Sequence, residues 1–233
     1  MFQRASPASV LAFLAICVVV VGAFVGGTWI IAGRDSASRL RRTFAVTIGT
    51  ILWLSSILVV VWSGWLEGDP RRVLVFAVVI NAVSLGIGFS PIGRWLAAVP
   101  LVWLVAFQGF RFPLELVLHS WAAQGVIPWT MTWTGRNWDI VSGVLALILA
   151  PLCRWWIAWA WVANGIGLVL LANVMRVAIL SSPVPFGWPV VPKLALIYHV
   201  PYVLIFPVCI GGALIGHISL TRALLAKSAS RRD

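Results

Sequence analysis

The chain has 233 residues, of which 61% are hydrophobic and 10% are charged, and its mean hydropathy is +1.02. Charged residues make up about a quarter of a soluble domain, so this composition excludes a soluble globular domain and indicates an integral membrane protein. The formal net charge is +11. Most of the Lys and Arg residues lie between or beyond the apolar segments, where they set topology and contact anionic headgroups, so we expect no nucleic-acid partner.

Long apolar segments divide the chain into about seven predicted membrane-spanning helices. A helix of roughly 20 residues crosses the ~30 Å hydrocarbon core of a bilayer. The predicted helices occupy residues 9–33, 43–66, 73–90, 95–110, 138–152, 155–180 and 194–217. The fourth and fifth are short and need flanking residues to span. The expected fold is therefore all-α, with one polytopic membrane domain over residues 1–233.

The first apolar run is expected to remain as a helix. It extends over about 25 residues, whereas the apolar region of a signal peptide has about 7–15 and precedes a small-residue cleavage site that we do not find here. Basic residues are biased toward one set of loops by ten to five. The ten are Arg34, Arg39, Arg41, Arg42, Arg94, Arg154, Arg222, Lys227, Arg231 and Arg232, and the five are Arg4, Arg71, Arg72, Arg136 and Lys193. This bias predicts an N-terminus outside and a C-terminus in the cytoplasm.

Polar side chains divide the predicted bundle into two parts. Helices 1–3, within residues 9–90, carry few polar groups and are expected to anchor and pack. Helices 4–7, within residues 95–217, carry most of the ionisable groups. Residues 218–233 form a short basic tail, expected to be a frayed helix end at the inner leaflet.

The fourth predicted helix leads into the most polar stretch of the chain. Gln108, Arg111, Glu115 and His119 follow one another at spacings of 3, 4 and 4 residues, which places them on one stripe of a helix. Pro113 is expected to kink the helix as it leaves the membrane, or to start a short interfacial helix. The stripe is therefore predicted at the outer boundary.

Further polar residues are predicted at the outer end of helices 4–7. They are Arg136, Asp139, Asn173, Arg176 and His199. An arginine inside a membrane costs about 2.5–3.5 kcal/mol and normally has an acidic or carbonyl partner. Asp139 or Glu115 is the expected partner of Arg176. Three interpretations remain open: structural pairs of Arg176 with Asp139 and of Arg111 with Glu115, a water-filled pocket that opens to the outside, or arginines that reach the interface.

Glu115 and His119 could also be two metal ligands, with His199 or Asp139 as a third. The sequence contains neither HxxxH nor HExxH, so we expect no metal and no cofactor. His217 is expected at the cytoplasmic interface. The three cysteines lie in or beside apolar runs without a CxxC motif and are expected to be buried small hydrophobic residues.

Two segments resemble the C-terminal core of the exosortase and archaeosortase family. The string LLANVMRVAIL (170–180) is followed, 23 residues after Arg176, by His199. The string DIVSGVLAL (139–147) resembles the Cys-Ser-Gly helix start of that family, with matches at Ser142 and Gly143. The family consists of multi-pass membrane cysteine transpeptidases that process C-terminal sorting signals of exported proteins with a cysteine, an arginine and a histidine. The resemblance implies functional roles for Asn173, Arg176 and His199.

The nucleophilic cysteine of that family is absent, because Val141 occupies its place. Cys153 lies 12 residues further along the helix, which is about 18 Å deeper, so it cannot replace that cysteine. Ser142 is the candidate replacement nucleophile, although a serine in the first turn of a helix is more often a helix-start or packing residue. The resemblance covers residues 139–217.

The first functional hypothesis is an exosortase-like protein of the bacterial cytoplasmic membrane with an outward-facing polar pocket. There His199 would be a general base, and Arg176 would stabilise negative charge during peptide or acyl transfer. The second is a non-catalytic scaffold or binding subunit whose pocket accepts an exported peptide or an anionic lipid headgroup. The third is a small transporter. The expected partners are the lipid bilayer and one of these anionic ligands.

Overall fold

A computed structural model of the chain describes residues 2–31 and 36–229. Within these residues the secondary structure is helical, with no strand, as predicted. Six helices are long and apolar enough to cross a membrane. They are Pro7–Ile30, Ala37–Trp62, Pro70–Phe89, Leu101–Ala123, Ala158–Ser181 and Tyr202–Ala229. The protein is therefore a polytopic helical membrane protein.

The described chain contains nine α-helices. Two of the spanning helices, 101–123 and 202–229, also include 3₁₀ or π-helical segments. The α-helices are α1 (Pro7–Ile31), α2 (Ser36–Trp62), α3 (Pro70–Phe89), α4 (Pro91–Leu96), α5 (Leu101–Phe107), α6 (Arg111–Ala123), α7 (Asp139–Leu152), α8 (Ala158–Ser181) and α9 (Gly211–Ala229). The 3₁₀ turns are Gln108–Phe110, Trp129–Met131, Leu196–Tyr198 and Tyr202–Ile205, and a π-helix covers Phe206–Ile210.

The fourth spanning helix is longer than predicted and differently placed. The predicted segment 95–110 is interrupted at Pro100, and the helix then continues from Leu101 to Ala123. Pro113 lies in the first turn of α6, directly after the 3₁₀ turn, where its missing N–H and its ring are tolerated. The polar stripe therefore lies in the middle of a spanning helix, and the predicted position at the outer boundary is wrong.

The fifth predicted helix is too short to span. Helix α7 has 14 residues, which is about 21 Å, less than the ~30 Å hydrocarbon core. The segment 124–138 before it turns back along α8: Thr130 Oγ1 lies 2.7 Å from Ser181 Oγ, and Asn173 Nδ2 donates to the Arg136 carbonyl at 2.9 Å. Asp139, the first residue of α7, therefore lies deeper in the bundle than the C-terminal end of α8.

The last spanning helix begins later and ends later than predicted. It runs from Tyr202 to Ala229 rather than over 194–217, so His199 precedes it in extended conformation. Pro207 lies within the π-helix, where the backbone departs from α-helical hydrogen bonding. The predicted tail is helical to Ala229, with Leu220 and Leu224 buried. Arg34, Arg231 and Arg232, on which the predicted orientation partly depends, lie outside the described residues.

Helix α1 packs directly against α6 and the start of the last spanning helix. Phe13 and Trp121 meet edge to face, with ring centroids 5.2 Å apart. The Trp121 indole donates to Ser9 Oγ at 3.1 Å, and the Tyr202 hydroxyl accepts from the Ala5 N–H at 2.9 Å. This core therefore connects the apolar half of the bundle to the polar half.

Candidate functional site

The arginine at the centre of the bundle is Arg111, and it is only 1% exposed. Its Nε donates to Asp139 Oδ2 at 2.6 Å, and its Nη2 forms an ion pair with Asp139 Oδ1. Asp139 is also buried, at 5% exposure. This contact is the guanidinium fork closing on a carboxylate, the geometry in which an arginine pairs most strongly. It joins α6 to the first residue of α7.

Arg111 extends this connection to α8. Its Nη1 lies 2.7 Å from Ser142 Oγ and 3.1 Å from the Gly167 carbonyl, both of which accept from it. Gly143, next to Ser142, allows α7 to approach α6 closely, because a Cβ at this position would stand 2.8 Å from the Cα of Phe112. Ser142 is therefore an acceptor for a buried cation in this structure.

His217 connects the cation to the last spanning helix. Arg111 Nη1 lies 3.2 Å from His217 Nε2. A guanidinium only donates, so Nε2 accepts and the proton sits on Nδ1, which donates to Asn164 Oδ1 at 2.9 Å. Asn164 Nδ2 in turn donates to Thr221 Oγ1 at 2.7 Å, and that hydroxyl donates to the His217 carbonyl at 2.8 Å. These contacts fix the imidazole tautomer and its orientation.

Asn137 and Glu115 complete this set of buried polar groups. Asn137 Nδ2 donates to Glu115 Oε1 at 2.8 Å, and Asn137 Oδ1 accepts from the Asp139 N–H at 3.2 Å. Glu115 Oε2 has no partner among the described residues. A cavity of about 30 Å³ borders Arg111, Glu115 and Asp139, which is room for about one water molecule.

We refer to these residues together as the buried network. It consists of Arg111, Glu115, Asn137, Asp139, Ser142, Asn164 and His217. The interpretation as structural pairs of Arg176 with Asp139 and of Arg111 with Glu115 is not what the structure shows. Asp139 pairs with Arg111, and Glu115 bonds to Asn137. The physical reason is the position of the residues along the bundle axis. Arg111 in α6 lies at the same level as Asp139, the first residue of α7.

Arg176 lies in a different environment, near the C-terminal end of α8, and it is exposed. Its Nη2 donates to Asn173 Oδ1 at 2.9 Å, and its guanidinium lies 5.8 Å from the centre of the Trp188 ring. Arg136 places its guanidinium 4.3 Å from the centre of the same ring. We call Arg136, Asn173, Arg176 and Trp188 the arginine surface. Arg176 thus reaches the edge of the bundle, one of the three interpretations of its position.

The predicted nucleophile Ser142 and the predicted general base His199 have different partners. Ser142 is 4% exposed and accepts from Arg111. His199 stacks on Phe2 with ring centroids 3.8 Å apart. Burial lowers the pKa of His199 below its ordinary value, and the charge of Arg4 lowers it further, whereas Glu67 opposes both. Among the described residues, no hydrogen bond joins Ser142 to His199.

His119 and the cysteines lie in separate surroundings. His119 stacks on Trp133, with ring centroids 4.2 Å apart. Within residues 2–31 and 36–229, no three His, Cys, Asp or Glu side chains are grouped as a metal site. Cys17, Cys153 and Cys209 are buried free thiols, as expected.

Sequence reasoning missed Asn137 as a polar partner and misplaced His217. The prediction ended the last helix at residue 217 and so placed His217 at the interface, whereas it is fully buried near the middle of Tyr202–Ala229. A usable signal is the small residue Gly216 before it, together with Asn164, an amide in the middle of the predicted helix 155–180. Comparison with protein-family models, curated proteins and solved structures finds no match.

Proposed function

We propose that this chain is a non-catalytic membrane protein of the bacterial cytoplasmic membrane that binds an anionic group at the arginine surface. The ligand is the carboxylate of an exported peptide or the phosphate of a lipid headgroup. The observation that carries the proposal is the approach of two guanidinium groups to one indole, at 4.3 and 5.8 Å, without a carboxylate partner among the described residues.

The arginine surface is held in position before a ligand arrives. Asn173 donates to the backbone carbonyl of Arg136 and accepts from the Arg176 guanidinium, so one side chain holds the backbone of one arginine and the side chain of the other. Stacking on an indole stabilises a guanidinium by about 0.5–1 kcal/mol at an exposed site while leaving its N–H groups able to donate. Arginines arranged in this way lose less conformational freedom on binding a carboxylate or phosphate.

A binding role agrees with the geometry better than peptide transfer does. The exosortase resemblance implies a nucleophile beside a histidine, and such a pair needs roughly hydrogen-bond contact. Val141 has no nucleophilic group, Ser142 is occupied by Arg111, and His199 stacks on Phe2. This distribution supports the scaffold or binding hypothesis over the transpeptidase hypothesis.

A second candidate function is proton or cation transport, and the buried network favours it. Ionisable groups in mid-membrane commonly mark transport pathways, and Glu115 Oε2 lacks a partner beside a cavity of about 30 Å³. A proteoliposome flux assay with a pH-sensitive dye tests this candidate. Wild-type flux above that of empty liposomes, lost in Glu115→Gln, would support transport. Wild-type flux equal to that of empty liposomes would exclude it.

The binding proposal is tested by titration of the protein in a nonionic detergent. The probes are a short-chain lipid with a phosphoglycerol headgroup, the same lipid with a phosphocholine headgroup, and an apolar peptide with a free or an amidated C-terminus. We expect Arg136→Gln/Arg176→Gln to weaken binding of the phosphoglycerol lipid or the free peptide at least about tenfold, since a hydrogen bond to a charged group contributes ~1.5–3 kcal/mol.

Arg71→Gln/Arg72→Gln is the matched control. It removes the same charge on the same predicted side of the membrane, and Arg72 likewise stacks on an indole, with its guanidinium 5.6 Å from the centre of the Trp65 ring. We expect this variant to bind within about threefold of wild type, allowing for long-range electrostatics. Equal loss in both variants would show that only the overall charge matters, and no binding of any probe would refute the proposal.

A further inference from the structure

A large apolar groove lies at the opposite end of α1 from the N-terminus, away from the arginine surface. Its volume is about 880 Å³, within the range of small-molecule pockets. Helices α1 and α2 form one wall, from Val20 to Ile30 and from Arg42 to Leu54, and the other wall comes from α3, α4, α5 and the last spanning helix. The groove is therefore built by the apolar half of the bundle together with α5 and the last helix.

The groove is closed at one end by packing at the C-terminal end of α2. Ile57 and Val61, near that end, belong to one buried cluster with Ile80 of α3 and Val203 of the last spanning helix. No described side chain from residue 37 to residue 56 is buried, so the rest of α2 adds no side chain to this core. The groove is therefore closed by this cluster at one end, whereas its other end reaches Arg42.

The depth of the groove matches one leaflet. The groove-lining part of α1 rises about 15 Å and that of α2 about 18 Å, at 1.5 Å per residue. Half of the hydrocarbon core is ~15 Å. A partner helix that crossed the membrane would meet the closed end of the groove, whereas an acyl chain of one leaflet ends at that depth.

The open end of the groove carries a cation. Arg42 lines it and places its guanidinium 5.2 Å from the centre of the Trp95 ring. No carboxylate pairs with Arg42 among the described residues, where the ion pair is between Arg111 and Asp139 in the buried network. A positive charge above an apolar slot complements an anionic headgroup above its acyl chain.

We propose that this groove seats one acyl chain of an anionic phospholipid, with the Arg42 guanidinium donating to the lipid phosphate. Gly26 and Gly49 leave room for the chain, because a Cβ added at either position would meet no atom within 4 Å. Both glycines line the groove. The site is separate from the arginine surface and does not depend on the function proposed for it.

The test is native mass spectrometry of the protein released from nonionic detergent after incubation with equimolar phosphatidylglycerol and phosphatidylcholine of identical chains. We expect wild type to retain one phosphatidylglycerol at least about fivefold more than one phosphatidylcholine. Arg42→Gln should lose this preference, and Gly49→Leu, which fills the groove, should lose retention of both lipids.

Two matched controls separate the site from general effects. Arg41→Gln removes the same charge from an arginine outside the groove, and Gly22→Leu adds the same side chain to α1 at a glycine with equally open surroundings that does not line the groove. Both should retain phosphatidylglycerol like wild type. Equal retention by Gly49→Leu and Gly22→Leu would overturn the chain site, equal retention of the two lipids by wild type would overturn the role of Arg42, and a dimer in place of a lipid adduct would assign the groove to a second copy.

Discussion

Removal of Arg111 should destabilise the protein far more than removal of Arg176. Arg111→Met leaves the buried carboxylate of Asp139 without its partner, which costs about 3–5 kcal/mol. The variant also loses the contacts to Ser142 and the Gly167 carbonyl, each worth ~0.6 kcal/mol inside a membrane. We therefore expect the free energy of unfolding to fall by about 4–6 kcal/mol. Titration with SDS in mixed micelles, followed by near-ultraviolet circular dichroism, measures this change.

Two further variants make the measurement decisive. Arg176→Met removes an exposed arginine bonded to Asn173 and should change the free energy of unfolding by no more than about 0.5 kcal/mol. Arg111→Met/Asp139→Leu removes both charges and should recover most of the loss, because no unpaired charge stays buried. If Arg111→Met were as stable as Arg176→Met, or the double variant no more stable than Arg111→Met, the assignment of Arg111 as the buried cation would fail.

Two other predictions concern packing and pH. Gly167→Ala should lower the free energy of unfolding by about 1–3 kcal/mol, since a Cβ there would stand 2.8 Å from His217 Nε2, whereas Gly165→Ala should not, because its Cβ meets no atom within 4 Å. Thermal unfolding in detergent compares the two, and equal midpoints would contradict the close contact. Stability should also fall as the pH drops below about 6.5, because burial lowers the pKa of folded His199 and the unfolded state takes up its proton first. His199→Gln should reduce this pH dependence. An unchanged pH profile in this variant would refute the assignment of the pH dependence to His199.

The sequence predicted the helical membrane class and the polar stripe for clear physical reasons. Apolar runs near 20 residues permit little else, and the spacing of Gln108, Arg111 and Glu115 places them on one helix face. All three side chains are buried. Their depth could not be read from the sequence, because Pro113 suggested a helix end, whereas the 3₁₀ turn before it allows the helix to continue.

The partners of the polar residues depended on tertiary structure that no periodic pattern reports. Asp139 reaches Arg111 only because the segment 124–138 turns back along α8. Arg176 was predicted near Asp139 from the same end of the bundle, but it lies on the arginine surface with Trp188. Spacing along one helix is therefore informative, whereas contacts between helices require the fold.

The central claim is that the exposed arginines, and not the buried one, bind an anionic ligand. The most direct test is titration of wild type and Arg136→Gln/Arg176→Gln with the phosphoglycerol lipid at low and high ionic strength. We expect wild-type binding to weaken with added salt and the variant to bind weakly at both ionic strengths, because its charged contacts are gone. Tight, salt-sensitive binding by the variant would contradict the account.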